Sequence, residues 1–223
     1  MIKQVNQRVF NKLTQQSLYS QFSINRKLAN LYSTQLEVDS SSQLVHKKFS
    51  DLDVRIGQVL KVEIHPNNDQ QYVSKVQLTK DSDPITVVSG LVPFLKLNEL
   101  EGQLVTLMMN LKSTKFRGIL SEAMILCGTN NATEINQVKL RLLQPKLSID
   151  TNTRVQLHSL PNLADPLAVI KKKNYEAEYA SHFTTDSSCN GLFQNHQLVV
   201  LNPNDLSTPI PLVADGISNG IIH

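Results

Sequence analysis

The chain has 223 residues, of which 40% are hydrophobic and 5% aromatic, with no tryptophan. That is enough apolar material for one large or two small cores, yet no apolar run approaches the roughly 18 residues of a membrane-spanning helix. The net charge of +3 divides unevenly: residues 1–36 hold Lys3, Arg8, Lys12, Arg26 and Lys27 and no acid, and the remainder carries 17 basic against 19 acidic residues. The body is therefore not a generally basic nucleic-acid binder, and any RNA affinity has to come from local asymmetry.

Taken in chain order, residues 1–36 are basic, acid-free and rich in Gln, Asn and Ser. Val5, Val9 and Leu13 fall four apart, so one side of a helix would be apolar while Lys3, Arg8 and Lys12 flank the other. That is the pattern of a mitochondrial presequence, which predicts a matrix location; a basic cytosolic arm is the alternative. Residues 37–48, with Ser40-Ser41-Ser42, read as a linker.

From Phe49 the pattern turns to strands. Val54, Ile56, Leu60, Val62 and Ile64 alternate on one face of a long first strand, with Gly57 where a curled strand needs a kink or bulge. His65-Pro66-Asn67-Asn68-Asp69 is turn chemistry. Tyr72, Val76 and Leu78 mark a second strand, Lys80–Pro84 a hairpin loop, and 85–92 a third strand. Leu104–Met109 is apolar almost throughout, as for a strand buried on both faces. Ala123, Ile125 and Cys127 alternate with Met124 and Leu126 in a fifth. Five such strands suit an OB-fold barrel, an architecture that commonly binds oligonucleotides. Residues 137–158 continue as strands, and from about Leu160 the character changes to a short helical pattern around Lys171-Lys172-Lys173.

Between the fourth and fifth strands lie Lys112, Lys115 and Arg117 with no acid among them, closed by Gly118. Cations on a strand-to-strand connection form a natural phosphate contact surface, although a basic triplet alone is more often an ordinary solvated loop. No nucleophile–base pair or paired carboxylates emerge, so no catalytic residues are expected. His65 is a lone turn histidine, Cys127 and Cys189 have no neighbours at zinc-ligand spacing, and no metal or cofactor is expected. Cys127 and Tyr72 read as packed residues, and Met124 as core.

The run Asn110-Leu111-Lys112-x-x-Lys115-x-Arg117-Gly118-x-x-Ser121-x-x-Met124 resembles the signature of the tRNA-binding OB-fold domain. That domain is appended to some methionyl- and tyrosyl-tRNA synthetases and occurs in the endothelial-monocyte-activating-polypeptide (EMAP) family of synthetase cofactors. Asp53–Gly57, His65–Asp69 and Val87–Val92 resemble further family segments, in the same order. The Lys171–Tyr175 and His182–Asp186 segments resemble the EMAP-type C-terminal extension. The resemblance implies a mainly β protein: a barrel over 49–150 and a smaller β-rich extension over 151–223 packed on it as a pseudo-dimer interface. Its function would be non-catalytic binding of tRNA by a monomer that cooperates with an aminoacyl-tRNA synthetase. A scaffold subunit that no longer binds RNA is the alternative, favoured by the acidic body.

The same resemblance carries Lys112, Lys115 and Arg117 over as phosphate-binding residues. Asn110, Ser89 and Ser121 stand in family positions as donors to phosphate or 2′-OH, or else as caps of local backbone. Arg55 either contacts RNA or pairs with Asp53. The chain departs from the family at Ile85, Gln71, Ser113 and Tyr175, where arginine, leucine, proline and tryptophan are common; losing a cation at 85 implies weaker RNA binding.

Overall fold

The computed structural model describes residues 42–223 except 133, 159, 161, 162, 203 and 204, so the expectation for residues 1–36 lies outside the described residues. Val45–His223 forms one compact unit. Its organising strand is β1 (Val54–His65), which pairs antiparallel with β2 (Asn68–Gln77) on one side and β4 (Leu104–Met108) on the other. β2 pairs with β3 (Ile85–Ser89) and β4 with β7 (Met124–Ile125), giving the order β3-β2-β1-β4-β7. The ends of this sheet curl toward each other. Thr86 O accepts from Glu122 N–H at 2.9 Å, and Ser121 Oγ accepts from Val88 N–H at 2.9 Å, leaving a nearly closed barrel. The third strand is shorter than expected, and the connector after it holds a single helical turn, α2 (Leu97–Leu100).

The second sheet interleaves the end of the barrel sequence with the extension. β8 (Cys127–Thr129) and β9 (Leu140–Leu142) continue into β16 (Ile221–Ile222), then β12 (Phe183–Thr185) and β13 (Gly191–Phe193). The long hairpin β14 (His196–Asn202) and β15 (Asp205–Val213) and the short β10 (Gln144–Pro145) complete it, with β11 (Gln156–Leu157) attached to β14. The barrel and its extension thus share a sheet rather than meeting across a cleft.

The apolar alternation explains this arrangement. In β4, Val105 and Leu107 point into the barrel core with Val59, Val76 and Val87. Leu104 and Met108 face a second core with Val54, Ile56, Leu126 and the extension's Phe183 and Phe193. A strand with a core on each side has to be apolar at nearly every position, as this one is. The expected fifth strand is broken at Leu126 into β7 and β8, which join different sheets, yet its side chains divide the same way, Ile125 and Cys127 inward and Met124 and Leu126 toward the extension. Burial pushes the Cys127 thiol up to about 12, so it packs as an apolar residue.

Two expectations are corrected. β1 does not keep one apolar face: Leu60 and Ile64 are 46% and 57% exposed. The pairing passes from Val59↔Val76 to Lys61↔Lys75, so Leu60 is the extra residue of a bulge that turns the strand. Gly57 lies just before it, where a Cβ would fall 2.7 Å from Leu107 Cδ1 and Val76 Cγ1, so the strand curls where no side chain fits. Second, the segment read as linker is helical over 42–50, here α1. Val45 and Phe49, four residues apart, lie on its inner face against the second core. Phe49, Phe183 and Phe193 form a closed trio there, with ring centroids 4.9–6.4 Å apart.

Phe49 is fully buried in this trio. Phe49→Ala is expected to lower unfolding stability by about 3–5 kcal/mol, read as a lower midpoint in urea denaturation with the m-value unchanged.

Candidate nucleic-acid interface

The basic stretch is an ordered hairpin. β5 (Thr114–Phe116) and β6 (Ile119–Ser121) pair through a two-residue turn in which Arg117 and Gly118 have φ of 44° and 101°. Positive φ at both central positions gives a turn whose twist matches the strands, and glycine at the second removes the Cβ penalty. Lys112, Lys115 and Arg117 are exposed along this hairpin.

The root of the hairpin is set by Asn110, which is buried. Its Oδ1 accepts from Asp53 N–H at 3.0 Å, and its Nδ2 donates to Asp51 O and Leu167 O, both at 2.8 Å. The backbone beside it makes a parallel bridge, Leu111 to Ile170: Asn110 O accepts from Ile170 N–H at 2.7 Å, and Lys112 N–H donates to Ile170 O at 2.8 Å. Directly after Ile170 come Lys171, Lys172 and Lys173, all exposed, leading into α3 (Lys172–Glu178). Two cation clusters far apart in the chain therefore meet at one place. Among the described residues no carboxylate pairs with Lys112, Lys115, Lys171 or Lys173. Lys172 lies 3.7 Å from Glu176 in an exposed i,i+4 pair worth little.

The tip is held from the other side by the β1–β2 turn. His65, almost fully buried, donates from Nε2 to Phe116 O at 2.9 Å and accepts at Nδ1 from Asn67 N–H at 3.1 Å. Those two partners assign the neutral imidazole with its proton on Nε2. The Arg117 guanidinium donates to Asn67 O, adding a second tie. The lone turn histidine is thus a latch for the hairpin. The His-Pro-Asn turn was visible in the sequence; its partner, the Phe116 carbonyl, was not.

The remaining expected site residues are placed differently. Ser121 Oγ, buried, accepts from Val88 N–H and donates to Ala123 O at 3.0 Å, so its only proton is committed to the protein. Both protons of Asn110 Nδ2 are likewise taken. Neither side chain has a donor left for phosphate, and both act as caps of local backbone instead. Arg55 donates to Asp53 at 2.7 Å and to Asn152 at 2.8 Å, so the Asp53 pair is made. Ser89 sits at the end of β3 with its Oγ buried and without a protein partner. Tyr72 is packed, its hydroxyl donating to Leu95 O at 3.0 Å. The structure thus sets Lys112, at the hairpin root, beside the extension's Lys171–Lys173, carries Lys115 and Arg117 further along the hairpin, and engages Asn110, Ser121 and Arg55 in bonds within the protein.

Residues 54–154 match the protein-family model described as "Putative tRNA binding domain". Two relatives are the aminoacyl tRNA synthase complex-interacting multifunctional protein 1 of Cricetulus griseus and the cytoplasmic tyrosine–tRNA ligase of Gallus gallus. The first is 35% identical over 127 residues, covering 57% of this chain and 33% of that protein. The second is 46% identical over 81 residues, covering 36% and 15%. This chain thus spans a third or less of either relative. Among solved structures, the C-terminal domain of Plasmodium vivax p43 superposes with a TM-score of 0.66 at 20% identity. That match covers 79% of this chain and 99% of that one, so the likeness in fold reaches beyond the barrel into the extension. Over residues 54–154 the barrel of this chain thus matches the tRNA-binding domain family.

Asn110→Ala would leave three backbone groups unpaired, at about 1–3 kcal/mol for each that stays buried. The unfolding midpoint is expected to fall sharply. Chemical denaturation of the variant beside the native chain checks this.

Proposed function

We propose that this protein is a non-catalytic, structure-specific tRNA-binding protein that serves an aminoacyl-tRNA synthetase as cofactor or tRNA-delivery factor. The observation that carries this reading is the presentation of Lys112, Lys115 and Arg117 on a hairpin anchored at root and tip, in a barrel of the tRNA-binding family. Cations held in place on a rigid element read the spacing of phosphates in a folded RNA, whereas a mobile basic tail fits any polyanion. The related synthetase and synthetase-complex protein support a synthetase as the partner. Linked to such a partner, even weak tRNA binding raises the local concentration of substrate.

In this reading the protein acts as a monomer. The extension covers Val54, Ile56, Met108 and Leu126, which a bare barrel would have to bury against a second copy. The basic segment 1–36 supports delivery to the mitochondrial matrix. A scaffold role without RNA binding is the second reading, favoured by the excess of acids beyond residue 36.

The test is binding of the full chain to a tRNA pool, against a random single strand of equal length, at several salt concentrations. Tighter, salt-steep binding to tRNA is expected, and Lys112→Glu/Lys115→Glu should abolish it while leaving stability within about 0.5 kcal/mol, as befits exposed sites. Alanine at Lys112 or Lys115 removes one cation from the phosphates, and each such change should lower the slope of log K against log salt by roughly 0.7–0.9. Equal binding to both RNAs, or indifference to the charge reversal, would leave the scaffold reading.

A further inference from the structure

A cavity of about 450 Å³ opens between the lysine hairpin, α3 and β16. Leu111, Phe116, Ala123, Met124, Ile222 and the ring of Tyr175 form its apolar lining. Lys112 and Lys172 line it as well, and because both are exposed they stand at its mouth. The Leu111–Ile170 bridge is what brings these two cations to the same opening. Two acids share the lining: Glu176, beside Lys172, and Glu122. Oε2 of Glu122 accepts from Thr86 N–H at 2.7 Å, which leaves its other oxygen available as an acceptor.

We infer that this cavity is a nucleotide subsite of the RNA interface, taking one unstacked base against Phe116 while the flanking phosphates lie on Lys112 and Lys172. The inference rests on the tRNA-binding reading above and names what that interface recognises besides backbone. An unstacked nucleotide has a flat apolar face, a hydrogen-bonding edge and an anionic link on each side. The cavity offers the counterpart of each: an aromatic and aliphatic wall, the free Glu122 oxygen and a pair of cations. Its volume falls within the usual range for small-ligand sites. Sequence-specific RNA recognition is concentrated on such splayed bases in loops and at ends, stacked on aromatic side chains. An aliphatic side chain from a partner protein would use the wall but neither the lysines nor the carboxylate. The carboxylate favours a base with an exocyclic amino group, such as cytosine, over uracil.

The test uses the full chain and three substitutions. Ser181, exposed on the 3-10 turn Ala180–His182, lines the cavity, so Ser181→Trp fills the space from its surface side while replacing no core residue, and Ser181→Ala is its control. Stacking of one base on an aromatic is worth about fivefold or more in affinity. Ser181→Trp is therefore expected to weaken tRNA binding at least that much with the salt slope unchanged, and Ser181→Ala to bind as the native chain does. Glu122→Gln keeps an acceptor for Thr86 N–H but sets an amide N–H₂ where the free carboxylate oxygen stood. In competition with short oligo(C) and oligo(U) it should reverse a native preference for oligo(C). Native tRNA affinity in Ser181→Trp, or a base preference untouched by Glu122→Gln, would overturn the subsite. So would loss of a synthetase partner by Ser181→Trp with tRNA binding intact, which would assign the cavity to a protein. A native chain that binds no tRNA would instead remove the underlying reading, so the two failures are distinct.

Discussion

The carboxamide of Asn110 is the constraint on which the site depends. Three stretches of irregular backbone converge beneath the hairpin: the residues leading into β1, the exit from β4 and the segment before α3. Irregular backbone carries N–H and C=O groups that no ladder satisfies, and burying them unpaired is costly. One amide meets Asp53 N–H, Asp51 O and Leu167 O together. Aspartate has no N–H₂ to donate and serine is too short to reach three groups, so an amide is the side chain that fits. With these groups tied, Ile170 is seated against Leu111, and the lysines on either side of that bridge follow.

The extension supports the site by covering the barrel's second face. β4 and the stretch Met124–Cys127 are buried on both sides, with Phe49, Phe183 and Phe193 closing the outer core. Strands buried in this way have little freedom to slip, because a one-residue shift would exchange every side chain between the two cores. The hairpin grows from one end of this stiff frame and is caught at its tip by His65. Its cations are therefore arranged before any RNA arrives, which reduces the ordering entropy that association would otherwise cost.

Much of this was legible from residue pattern. Alternation marked four of the five barrel strands, although the fifth is broken at Leu126, the unbroken apolar run at 104–109 marked the remaining one with its two buried faces, and the acid-free triplet marked the exposed charges. The errors have physical causes. Leu60 and Ile64 obey period two on paper, but the bulge at Leu60 and the coil at Gly57 change which face turns inward. The segment before Phe49 reads as linker through its serines, while Val45 and Phe49 find a core supplied by residues more than a hundred positions later. For Asn110 and Ser121 the pattern left phosphate contact and backbone capping both open, because nothing local distinguishes a side chain that faces solvent from one whose partners are Leu167 O or Val88 N–H.

The sequence by itself determined the chemistry available: where strands could form, which positions had to be apolar, and where cations stood without acids. Those properties depend on side-chain period and on charge, both of which act over a few residues. Tertiary structure alone decided which of these groups meet. The pairing of Leu111 with Ile170, the hold of His65 on Phe116 and the cavity between hairpin, α3 and β16 each join segments far apart in the chain. The first two are bonds to backbone carbonyls and amides, which nearly every residue carries, and so only the folded path of the chain could select them.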